Sequence, residues 1–259
     1  MLRRTLLLSA AALALPTQAQ VLHLSDAINK AGRQRMLSQR MGKAWLALLQ
    51  GVETSAAQRV LNTSMALFDR QHVELKAYAP TPELRATYQQ LEAVWSDYKA
   101  ALVGNVPSKD KAAALLALDA QVLGLAHQGT GQYEAVLARP EGKLVNVAGR
   151  QRMLSQRMAK FYLAATLQVD TDRSTSEMAK AKAEFVTAMA LLRDAPEATA
   201  RIRDELQLAD AQWVFFDAAL QRMQSSNRLE KAMSDVFVSS ENLLSVMDRV
   251  TGLYASVTT

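Results

Sequence analysis

The chain contains no cysteine. That absence removes disulfides, thiolate metal sites, c-type haem attachment and a lipid-anchored cysteine together, and it leaves stability to packing. Proline and glycine are scarce, at six and ten of 259 residues, and β-branched runs are nearly missing, so sheet architectures are disfavoured. The three histidines, His23, His72 and His127, are scattered, with no carboxylate at metal-ligand spacing. No glycine-rich phosphate loop follows a strand pattern either, so neither a catalytic constellation nor a cofactor is expected. After the first residues no continuous apolar run approaches the ~20 residues that span a bilayer.

What remains is rich in Ala and Leu with helical periodicity, and the expected fold is all-α. The opening stretch "MLRRTLLLSAAALALPTQA" has a basic start, a short apolar run and small residues around Ala19. It reads as an export signal over residues 1–19, giving a periplasmic mature chain with no transmembrane segment. Without Arg3 and Arg4 the chain keeps 28 basic residues against 25 acidic ones, a balance too mild to indicate nucleic acid.

The most specific feature is a string that occurs twice. "AGRQRMLSQRM" fills residues 31–41 and returns unchanged at 148–158, 117 positions later. An unbroken match of that length is an internal repeat, which divides the mature chain into 20–139 and 140–259. Punctuation at Gly51, "APTP" (79–82) and "GNVPS" (104–108) sets helices near 24–50, 55–79, 81–104 and 108–138. In the second half "VDTDRS" (169–174), "DAP" (194–196) and "SSN" (225–227) set them near 141–169, 173–194, 196–224 and 227–257. Trp95 and Trp213 fall in matching third helices. Long helices with short connections favour two tandem antiparallel four-helix bundles, with one small core per repeat.

At about 100° per residue, Leu37, Met41, Ala44 and Leu48 form a packed stripe, matched by Leu154, Met158, Phe161 and Ala165. Met36 and Met153 read as packing rather than cofactor ligation. A second stripe sets Arg35 among Ile28, Gln39, Gly42 and Leu46, with Ala31 and Gly32 beside it. Its counterpart sets Arg152 among Val145, Gln156, Ala159 and Leu163, beside Ala148 and Gly149. Glycine costs about 1 kcal/mol in a helix interior, so Gly32 and Gly149 point to a close backbone approach or an exposed backbone group. A third stripe, Arg33, Arg40 and Lys43 with Arg150, Arg157 and Lys160, reads as a solvated cationic face.

"DAINKAGRQRMLSQRM" (26–41) and "KLVNVAGRQRMLSQRM" (143–158) resemble the first helix of the PilJ-type domain, the N-terminal domain of type IV pilus methyl-accepting chemotaxis transducers. That domain is similar in turn to the periplasmic sensor region of nitrate/nitrite-responsive kinases, where this segment is called the P-box. The resemblance implies four-helix bundles that pair through their first helices. It also implies a small oxyanion, nitrate or nitrite, held by the arginine before Met and by backbone near the preceding glycine. Carried onto this chain, these positions are Arg35 with Gly32 and Arg152 with Gly149. Arg33, Gln39, Arg40, Arg150, Gln156 and Arg157 are secondary candidates for binding or docking.

The receptors have transmembrane and signalling modules, whereas this chain carries two motifs and neither module. The expected function is therefore a periplasmic sensor or binding protein, not an enzyme, read out by a membrane receptor or another periplasmic partner. The motifs could meet within one chain or between two in a homodimer. The alternative is an interaction module that docks an acidic partner through its basic faces without a small ligand.

Overall fold

A computed structural model describes residues 20–104, 106–224 and 229–257. The expected export segment, residues 1–19, lies outside them. The described residues form eight α-helices: α1 Leu24–Leu49, α2 Thr54–Tyr78, α3 Pro82–Val103, α4 Lys109–Leu137, α5 Pro140–Thr166, α6 Thr171–Asp194, α7 Ala200–Leu220 and α8 Leu229–Val257. None of them is long and apolar enough to cross a membrane.

Local chemistry sets the ends. Thr81 caps α3 by accepting from the Leu84 amide at 3.2 Å, and Pro82 occupies the first turn, where its missing N–H costs nothing. Thr199 caps α7 in the same way through the Ile202 amide at 3.3 Å. That cap starts α7 at Ala200 rather than at 196, where the proline alone pointed. At its other end α7 tightens into a 3-10 turn over Gln221–Gln224.

Each half is built alike: its first helix packs on the second and fourth, and its third packs on the fourth. The halves repeat in detail. Phe68 stacks on Trp95 with ring centroids 4.1 Å apart, and Phe185 stacks on Trp213 at 4.6 Å. The Tyr133 hydroxyl donates to the Leu75 carbonyl at 2.8 Å, and Tyr254 donates to Leu192 at 2.7 Å.

The most extensive helix pairing among the described residues joins the halves, α1 against α5. Gly42 lies beside the Lys160 stem, and the Gln50 side chain donates to the Leu163 carbonyl at 3.0 Å and accepts from the Thr166 hydroxyl at 3.1 Å. All three contacts join a residue to one near its own repeat position, so α1 and α5 run parallel and in register. The expected core per repeat gives way to one continuous core, because most of α1 and α5 is buried where the halves meet.

This central placement corrects the reading of the third stripe. Lys43 and Lys160 were expected in solvent, yet they are 0% and 1% exposed. The fourth helix of the opposite half covers each. Lys160 donates to Asp119 on α4, itself 0% exposed, which also accepts from the Gln39 amide at 2.9 and 3.0 Å. Lys43 donates to the Ser240 hydroxyl at 2.8 Å and to Glu241 at 2.7 Å on α8. A buried ion pair adds little net stability, but removing one partner strands the other charge. Asp119→Ala should therefore cost about 3–5 kcal/mol in urea denaturation, whereas Asp119→Leu combined with Lys160→Met should cost only about 1–3 kcal/mol, for the Gln39 amide left without its acceptor. A loss under about 1 kcal/mol for the single variant would mean that the Lys160 ammonium is not held by this carboxylate.

Candidate functional site

Because α1 and α5 run in register, the two copies of the repeated string lie at the same level. Arg35 and Arg152 are both 0% exposed, unusual for so large a cation. A Cβ on Gly32 would lie 3.1 Å from Arg35 Nη2 and 3.6 Å from Arg152 Nη2. On Gly149 it would lie 3.1 Å from Arg152 Nη2 and 3.8 Å from Arg35 Nη2. What comes close to these glycines is thus a pair of guanidinium groups rather than a helix backbone.

Each guanidinium reaches across to the other half. Arg35 Nη2 donates to Asn146 Oδ1 at 2.7 Å, and Arg152 Nη2 donates to the Asn29 carbonyl at 3.0 Å. Ser38 and Ser155 donate to the carbonyls of Arg35 and Arg152 at 3.0 and 2.8 Å. The Nε of each arginine is buried and has no hydrogen-bond partner.

The symmetry ends at the fourth helices. Arg152 forms an ion pair with Asp248 on α8, and Arg33 shares the same oxygen at 2.9 Å. Arg35 has no carboxylate at ion-pair distance among the described residues. Its Nη1 lies 3.2 Å from His127 Nδ1 on α4, and Arg150 Nη1 lies 3.4 Å from the same nitrogen. A cavity of about 350 Å³ opens here, lined by Arg35, His127, Arg150, Leu123, Met153 and Leu154 among others.

The family described as PilJ, type IV pili methyl-accepting chemotaxis transducer N-term, matches residues 17–121 and 138–236. The chain belongs to the PilJ family. It holds two tandem copies of this domain, which is sensory rather than enzymatic in kind. Comparisons with curated proteins and with solved structures returned no match. Both PilJ matches include the arginines and stop short of His127 and Asp248, the groups that make the two copies unequal.

The remaining candidates in the PilJ repeats are engaged within the chain. Gln39 and Gln156 are buried on Asp119 and on the Ser240 carbonyl, the latter at 2.9 Å. Arg40 binds Glu241 through Nε at 3.0 Å, and Arg33 binds Asp248. Arg150 and Arg157 bind Glu184 and Glu177 on α6. The expected solvated face is thus a set of intramolecular ion pairs, built by helices that flank α1 and α5.

Sequence reading missed Asn29, Asn146, His127 and Asp248 as site residues. A signal was present: "TGQY" (130–133) and "TGLY" (251–254) align α4 with α8 at an offset of 121. That offset makes His127 the counterpart of Asp248.

Charge follows geometry. Burial, then the nearby Arg150 and Arg152 cations, lowers the Arg35 pKa to about 9. Burial lowers Arg152 to about 10, and Asp248 opposes that shift. His127 is lowered by burial and by Arg35 and Arg150, which suits Nδ1 as a neutral acceptor. For Asp248 and Glu241 burial acts upward, but the attached cations win and hold both at about 2. Unfolded, these carboxylates titrate near ~3.9 and ~4.3, so their stabilising contribution is full above that range and is lost as pH falls towards 2. The thermal midpoint should fall steeply between about pH 4 and pH 2, and Asp248→Asn with Glu241→Gln should flatten that limb while lowering the midpoint at pH 7.

Proposed function

We propose that this tandem PilJ protein is a periplasmic sensor or binding module for a small planar oxyanion, nitrate or nitrite first, held at Arg35 with Arg152, Gly32 and Gly149. A membrane receptor or another periplasmic protein would read the bound state. The units would be 20–139 and 140–259, following an export signal at 1–19. Both motifs meet inside one chain, so the site needs no second molecule.

The observation that carries this reading is the buried Arg35 guanidinium, which lacks the carboxylate given to Arg152. Arginine keeps its charge and offers a planar fork of donors suited to an oxyanion. Two such cations about 6 Å apart, at an effective dielectric of about 20, repel by roughly 3 kcal/mol. An anion at Arg35 offsets that repulsion and adds charge-assisted hydrogen bonds of about 1.5–3 kcal/mol each. The packing of α1 on α5 is thereby coupled to occupancy, which a sensor requires.

Docking of an acidic partner through the basic faces is less well supported, because Arg33, Arg40, Arg150 and Arg157 already have carboxylates from this chain. Nitrate at about a hundred times its Kd should stabilise the protein by ~2.7 kcal/mol. Arg35→Lys should remove most of that gain, since lysine keeps the charge and loses the fork, and Arg152→Lys should remove less. Thermal melts with and without nitrate check this; equal loss at Arg33, Arg35 and Arg40, or no nitrate effect in the parent, rejects it.

A further inference from the structure

The two copies of the site are built on one plan, and the second copy contains its own anion. Asp248 places a carboxylate where Arg152 and Arg33 both reach it. In the first copy the equivalent position is His127, approached by Arg35 and Arg150. Histidine there supplies a neutral acceptor where its counterpart supplies a negative charge.

The other charges around the cavity do not fill that deficit. Glu184 is held by Arg150, and Glu177 is held by Arg157 and by Lys180 at 3.2 Å. Glu134 accepts from the Asn146 amide, whose oxygen accepts from Arg35. Arg35 is left as the fully buried cation at the cavity, with its Nε unpartnered. The cavity, at about 350 Å³, has the size of a small-molecule pocket rather than that of a four-atom anion. Leu123, Met153 and Leu154 give it an apolar wall.

We infer that the cavity beside His127 binds one short-chain monocarboxylate per protein, its head group taking the place that Asp248 fills in the other half and its tail lying on Leu123, Met153 and Leu154. This rests on the anion reading of Arg35 and narrows it to a ligand class. The head group accepts from Arg35 and Arg150 in place of His127 Nδ1. At Arg152 the corresponding place is already filled by Asp248, so the site is single despite the repeat.

The full chain is titrated by calorimetry with acetate, butanoate, nitrate and the neutral butanamide. Butanoate is expected to bind one to one, tighter than acetate by about fourfold for each methylene buried, with no heat from butanamide. His127→Asp supplies the missing carboxylate from within, so butanoate binding should vanish and the free protein should melt higher, while His127→Asn keeps binding. If His127→Asp fails to fold, Leu123→Glu decides instead, since a carboxylate on the cavity wall should abolish butanoate binding without touching Arg35 or His127. Butanoate bound by a folded His127→Asp protein, two butanoates in the parent, or unchanged butanoate affinity in Leu123→Glu overturns the inference. Nitrate binding without carboxylate binding overturns it and leaves the broader oxyanion reading standing; no heat from any anion rejects both.

Discussion

Two guanidinium groups without exposed surface sit together where α1 packs on α5, and most of the architecture follows from accommodating them. The large desolvation cost of a buried cation has to be met by partners. Gly32 and Gly149 leave room for the side chains, Asn29 and Asn146 supply acceptors from the opposite helix, and α4 and α8 approach with His127 and Asp248. The parallel register of α1 and α5 brings the two arginines, at matching repeat positions, to one level.

The same central pair carries further buried charge a few turns along. Lys160 reaches Asp119 of the first half, and Lys43 reaches Glu241 of the second. These crossed pairs join the halves, and because their desolvation offsets most of their attraction they add little net stability, although breaking one strands a charge. A ligand that changes the balance at Arg35 acts on the same helix interface, and any shift it causes is limited to its differential affinity for the two arrangements.

Much of this was legible in the sequence, for identifiable reasons. Helix boundaries followed from Pro82, Pro140 and Gly51, and the repeat and the Arg35 stripe followed from an unbroken string and a 3.6-residue period. Burial of Lys43 and Lys160 was not legible, because it depends on α1 and α5 lying between the halves, and periodicity within one helix cannot reveal what covers its other faces. His127 and Asp248 were hidden for a related reason: the site is read from α1 and α5, but the groups that distinguish its two sides arrive from α4 and α8. Only the weak "TGQY" and "TGLY" correspondence links those positions.

Among the described residues the central pair of arginines is one carboxylate short, and the shortfall lies at Arg35. A crystal structure of the full chain grown in nitrate tests that claim most directly. It should show one planar anion within hydrogen-bond distance of Arg35, about 2.7–3.2 Å, on the His127 side, with Asp248 still bound to Arg152. An anion seated at Arg152 with Asp248 displaced, or Arg35 found on a carboxylate of its own chain, would contradict it.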